Sequence, residues 1–195
     1  LFTRFLSTSA ALVAVLALAT PTTSSASVEP DPPAACTIGG VPVADGQPVP
    51  DDIPTVVSCF DSVEEAEQFI EDGAPGDYEQ LYPDNASART DARAAAASTV
   101  TVGKIWTGTS RTGSVRLHWG AGSGCYGVTF GFPSLSAGWD NNVRSAEGFN
   151  NCWSSQYDGT SYTGTVLTCA PYCSSLGSMA ARTSSIVYRP AGTFG

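Results

Sequence analysis

One eight-residue pattern occurs twice in this chain, and it restricts the fold more than any other feature. Trp106 is followed seven residues later by Gly113 (WTGTSRTG), and Tyr157 seven residues later by Gly164 (YDGTSYTG). Both copies carry Gly-Thr-Ser at the same offset. Each is followed by a strand-like run, a Leu-containing segment (SLSAGWDNNVRS; SLGSMAARTSS) and a final short strand. Repetition at this spacing points to two copies of one supersecondary unit. The pattern has a physical purpose: glycine permits a tight backbone bend and the ring covers it.

The residues around the repeat read as strands. Val100, Val102 and Trp106 are placed on one side of a strand. Val115, Leu117 and Trp119 alternate with Arg116 and His118, and Tyr126, Val128, Phe130 and Phe132 alternate again. Residues 184–189 (SSIVYR) make a last strand, and runs such as Gly120–Gly124 supply turns. Many short strands separated by turn residues imply an all-β sandwich or barrel.

Over residues 100–190 the chain resembles the βγ-crystallin superfamily. Its members carry an aromatic residue, six residues and a glycine, then a loop of the form Asn/Asp-Asn/Asp-x-x-Ser/Thr-Ser. The resemblance implies a double Greek-key sandwich. It also extends to secreted bacterial members, among them microbial metalloproteinase inhibitors and killer-toxin-like proteins. In the family the downstream loops bind calcium crosswise. Here residues 140–145 match the first loop, with Arg144 where a hydroxyl belongs, and residues 180–185 the second, with Ala180 and Ala181 at the acid or amide positions. The resemblance therefore implies at most one site, from Asn141, the Arg182 carbonyl and Ser184. With no carboxylate among these three, binding is expected to be weak. Alternatively, Asn141 and Ser184 only cap turns.

Six cysteines accompany this pattern: Cys36, Cys59, Cys125, Cys152, Cys169 and Cys173. An even number in a secreted chain favours disulfides, and a single histidine disfavours zinc. The expected pairs are Cys36–Cys59, Cys125–Cys152 and Cys169–Cys173. The last would clip Ala170, Pro171 and Tyr172 into a short loop suited to binding a partner. The plainer alternative is a turn stapled for stability.

Charge divides the chain. Residues 27–97 hold fifteen carboxylates against two arginines; residues 98–195 hold three carboxylates against six bases. The net charge of −9 disfavours nucleic acid as a partner. Residues 1–26 read as a signal peptide, with Arg4 ahead of the apolar run Ala10–Ala19 and small residues before a cut after Ala26. A buried helix is the alternative there. The apolar run is too short to span a bilayer, so no membrane association is expected. Residues 27–97 read as an acidic segment or pro-region, extended or loosely folded over 28–54. Thr55–Phe60 suits a strand. Ser62 and Glu65 form a capping box that starts a helix near 62–72. Residues 85–99 are small, polar and Ala-rich, either a linker with a processing site near Ala94–Thr99 or a frayed helix.

Catalytic chemistry finds no support. His118, read as an outward-facing surface residue, lacks the nucleophile and carboxylate that a triad needs. No phosphate loop, nucleotide fingerprint or metal-helix motif occurs. The expectation is a secreted, monomeric, non-enzymatic binding protein that requires no cofactor and takes at most one weakly bound Ca2+. A secreted protease is the expected partner. The alternative is an extracellular structural or stress protein, or a killer-toxin-like one.

Overall fold

The computed structural model describes residues 35–81, 99–136 and 138–195. The signal-peptide reading, and all but Thr99 of the linker or processing reading, fall outside these residues.

The repeat organises two interlocked keys. The first comprises β4 (Thr99–Trp106), β5 (Val115–Ala121), β6 (Val128–Phe132) and β7 (Ser145–Gly148). The second comprises β8 (Cys152–Tyr157), β9 (Val166–Cys169), β10 (Tyr172–Cys173) and β11 (Ser185–Pro190). One sheet contains the order β10-β7-β4-β5 and the other β6-β11-β8-β9. Each key thus keeps its first, second and fourth strands together and sends its third to the opposite sheet. Swapping β6 and β10 in this way relates the two keys by a pseudo-twofold. The fold is an all-β, double Greek-key βγ-crystallin-like sandwich.

Three strands from the acidic segment extend both sheets. β1 (Ala35–Gly40) pairs in parallel with β5, and β3 (Thr55–Phe60) pairs antiparallel with β1. β2 (Pro42–Ala44) joins the other sheet beside β6. Residues read as extended or loosely folded therefore supply ladder hydrogen bonds to both sheets. A parallel partner far away in sequence leaves no local pattern to reveal it.

Helix α1 (Val63–Glu71) follows β3, and α2 (Asp77–Leu81) follows α1. Ser62 Oγ accepts the Glu65 N–H at 3.1 Å, which caps α1. The buried Ala66 and Ile70 of α1 pack on Trp106, Leu117 and Trp119. Burial of a side chain the size of Ile70 contributes about 1.5–3 kcal/mol, so this second core holds α1 to the first sheet.

The helix layer changes how β5 reads. Val115, Leu117 and Trp119 face α1, while His118 faces the space between the sheets and is fully buried. The surface assignment of His118 is thereby corrected. Alternation marks two faces, but here both are covered. Tyr188 shares this inner face with its hydroxyl 3.1 Å from His118 Nδ1, and the Phe132 ring meets the imidazole edge-on at 4.6 Å. Burial first, and the nearby Arg116 charge second, hold the His118 pKa well below its usual value.

A register shift between Thr101 and Gly103 changes the parity of β4. Val102 and Ile105 enter the inter-sheet core, whereas Trp106 turns to the helix side. The expectation that Val102 and Trp106 share a face fails because a bulge adds one residue to a period of two. Tyr126 lies ahead of β6 and is exposed.

Candidate functional site

The two repeated turns are built alike. Thr107 and Asp158 donate their N–H groups to Ser114 and Thr165 carbonyls, both at 3.1 Å. Ser110 and Arg111 in one turn, and Ser161 and Tyr162 in the other, have φ between 51° and 63°. Gly113 and Gly164 follow at 79° and 82°, the left-handed region that favours glycine. The last serine of each downstream loop latches onto its own turn. Ser145 Oγ donates to the Gly108 carbonyl at 2.7 Å, and Ser185 Oγ to the Gly159 carbonyl at 2.6 Å.

The downstream loops then cross. Asn141 donates its N–H to the Thr183 carbonyl at 3.0 Å, and Ala181 donates to Val143 at 2.8 Å. Asn141 and Ala181 share nearly the same left-handed φ, 57° and 58°. The side chains break the symmetry. The Asp140 carboxylate accepts from Ser184 Oγ at 2.6 Å and from Asn141 Nδ2 at 3.0 Å. Asn141 and Ser184 are thus brought together through a carboxylate that the sequence reading left out of the site. Asp140 opens the loop pattern, and that position was the available signal.

Arg182, whose carbonyl is the third ligand expected here, pairs its guanidinium with Asp158 and points it toward the Ser178 carbonyl. The Asp158 carboxyl is held below its usual range, mainly by the Thr165 backbone N–H and further by Arg182. At the pseudo-equivalent of Ser184, Arg144 Nη1 donates to the Thr107 carbonyl and to Asn142 Oδ1, both at 2.8 Å. A carboxylate, a hydroxyl and an amide suit a hard cation in the first position. A guanidinium on the oxygens of the second does not.

The Cys169–Cys173 disulfide joins the end of β9 to β10, and so ties the two sheets together. The other disulfides are Cys36–Cys59, across β1 and β3, and Cys125–Cys152. Within the clipped loop Ala170 and Pro171 are exposed, while Tyr172 is half-buried. Tyr172 pairs with Glu147 of β7, and the Pro171 carbonyl accepts the Gly148 N–H at 2.9 Å. The Arg111 guanidinium lies 3.9 Å from the Tyr172 ring centre and grips Glu147 through Nε and Nη2, each at 2.7 Å. The first repeated turn, which carries Arg111, therefore braces the loop. Sequence reasoning did not assign Arg111 or Glu147 to this loop, because the pairing depends on β10 crossing sheets.

No family model matches the chain. No curated protein matches it either. Solved structures are similar to it over part of its length. The N-terminal domain of protein S covers 48% of this chain and 100% of its own, at 12% identity and a TM-score of 0.37. A βγ-crystallin domain from Flavobacterium johnsoniae covers 48% of this chain and 99% of its own, at 14% identity and a TM-score of 0.33. A structure concerned with the evolution of the eye-lens βγ-crystallin domain fold covers 48% and 98%, at 11% identity and a TM-score of 0.37.

Proposed function

We propose that this chain is a secreted, non-enzymatic binding protein of the βγ-crystallin superfamily that inhibits secreted proteases through residues 170–172. The observation that supports the reading is the brace on this loop. A disulfide closes its ends, β7 holds one edge, and Arg111 stacks on Tyr172 while paired with Glu147. Ordering a loop during association costs free energy, so a loop already held in shape binds more tightly. Ala170 and Pro171 form the exposed contact, and Tyr172 positions them. Three disulfides fit the oxidising compartment that the reading requires.

The test is inhibition of a panel of secreted metallo- and serine proteases by the full chain. Inhibition that weakens at least tenfold in Pro171→Ala and Arg111→Ala supports the assignment. Inhibition unchanged in both variants moves the contact elsewhere. If no protease in the panel is inhibited, the inhibitor reading falls.

A second reading rests on the Asp140–Ser184–Asn141 cluster: a structural or stress protein stabilised by one weakly bound calcium ion. The carboxylate makes this site stronger than the three residues first assigned to it.

A further inference from the structure

A buried arginine of β5 has no carboxylate partner among the described residues. Arg116 of β5 is 3% exposed. Its Nη2 donates to Ser136 Oγ at 2.9 Å, but Nε and Nη1 have no partner among the described residues. The Trp139 indole lies 4.9 Å from the guanidinium carbon. That contact satisfies a face of the cation and leaves the buried Nε and Nη1 donors unmet. A buried donor without an acceptor is costly, and one on a charged group more so.

Arg116 lines a cleft of about 410 Å³. Part of the apolar wall comes from the acidic segment. Cys36 is opposite Arg116 in the parallel β1–β5 ladder, and the Cys36–Cys59 disulfide and Val57 both line the cleft. Val57 is 44% exposed, one of three large apolar side chains exposed among the described residues. Trp139 and Val115 add to this wall, while Thr107, Ser114, Ser136 and Asn142 supply polar edges. No carboxylate lines the cleft among the described residues. Arg144 donates to Thr107 and Asn142, two lining residues, which places a second positive charge close to the rim.

We propose that this cleft binds an organic carboxylate with an apolar body, its carboxylate on the Arg116 guanidinium and its apolar part against Val57, the Cys36–Cys59 disulfide and Trp139. A guanidinium edge matches two carboxylate oxygens in one plane, the strongest arrangement available to such a donor. The apolar wall selects against a bare inorganic anion. Burial lowers the Arg116 pKa to about 10, as expected for a buried cation lacking its counter-ion. The free acid and the C-terminus of a peptide ending in an apolar residue share this chemistry. The site is separate from residues 170–172 and stands whether or not the chain inhibits a protease.

The experiment follows the Arg116 Nε–H resonance and backbone amides of the full chain by NMR. The probes are 3-phenylpropionate, 3-phenylpropionamide, a tetrapeptide ending in Phe with a free carboxylate, and its C-terminal amide. The expected result is saturable binding of the acid with Kd of roughly 1 mM or tighter, with the Nε–H resonance shifted and the amide at least tenfold weaker. Tenfold tighter binding of the free peptide than of phenylpropionate assigns a chain terminus as the ligand. Equal or weaker peptide binding assigns a small acid. Arg116→Met, with its fold checked by thermal melting, should abolish acid binding. Equal shifts from acid and amide, no saturation, or retained binding in folded Arg116→Met would overturn the proposal. Should Arg116→Met not fold, the acid-against-amide comparison on the wild-type chain decides alone.

Discussion

The Asp140 carboxylate accepts a hydrogen bond from Ser184 at 2.6 Å, across 44 positions of sequence and from one Greek key to the other. The pseudo-twofold has no second copy of this contact, because the matching positions are Ala180 and Arg144. Calcium should therefore bind with one-to-one stoichiometry and not two-to-one. For a Kd near ~1 mM, ~10 mM calcium would stabilise the fold by about 1.4 kcal/mol. Asp140→Asn should remove most of that gain, as read by chemical denaturation with and without calcium. Two sites by calorimetry would refute this account of Arg144. No stabilisation of the wild type would leave the cluster as a turn cap.

Buried His118 makes the sandwich sensitive to mild acid. The unfolded chain takes up a proton there near the ordinary value of 6.5, while the folded chain resists it because the ring is buried and beside Arg116. Full stability is present above pH 6.5 and is lost as pH falls from there toward the folded pKa. The limiting slope is about 1.4 kcal/mol per pH unit. Asp77, whose pKa burial raises above 3.8, acts in the opposite sense at lower pH. Urea denaturation from pH 7.5 downward should show the loss begin close to pH 6.5, and His118→Phe should flatten it. An equal slope in the variant would assign the effect to another group.

Gly103 and Tyr188 meet between the sheets. A β-carbon on Gly103 would come within 1.8 Å of the Tyr188 ring, against buried groups that cannot yield. Gly103→Ala should cost about 3 kcal/mol or more in denaturant unfolding. Combining it with Tyr188→Leu should cost less than the sum of the two single changes, since the smaller side chain relieves the overlap. Additive losses would mean that the strain lies elsewhere.

The double Greek key was legible because its signals are local. The two aromatic-to-glycine turns, the alternation in β5 and β6, and the cap on α1 each occupy fewer than a dozen neighbouring residues. What escaped notice is non-local. The parallel β1–β5 pairing leaves no mark in either strand, and it turns an apparently loose acidic segment into part of both sheets. Helix α1 of that segment covers the Val115, Leu117 and Trp119 face of β5, so the face that carries His118 is the one turned toward Tyr188 and Phe132 between the sheets. Asp140 was misjudged differently. Its residue type was plain, but its approach to Ser184 depends on how two loops cross. Arg116 escaped for the same reason, since Cys36, Val57 and Cys59 of the acidic segment reach its cleft only through the β1–β5 pairing.

The Cys169–Cys173 clip should matter more to recognition than to folding. It closes a very short loop, so the loss of chain entropy it imposes on the unfolded state amounts to roughly 2 kcal/mol, against about 3–4 kcal/mol for the longer loops of the other two disulfides. β10 retains its pairing with β7 without the bond, and Arg111 still bridges Tyr172 and Glu147. Cys169→Ser with Cys173→Ser should therefore fold, with stability reduced by roughly 2 kcal/mol in urea. Freed ends let Ala170 and Pro171 sample other shapes, and inhibition of a susceptible protease should weaken by more than tenfold, mainly through faster dissociation. Stopped-flow or surface-binding kinetics on both proteins would separate the two rates. A folded double variant that inhibits as tightly as the wild type would show that the clip serves stability alone.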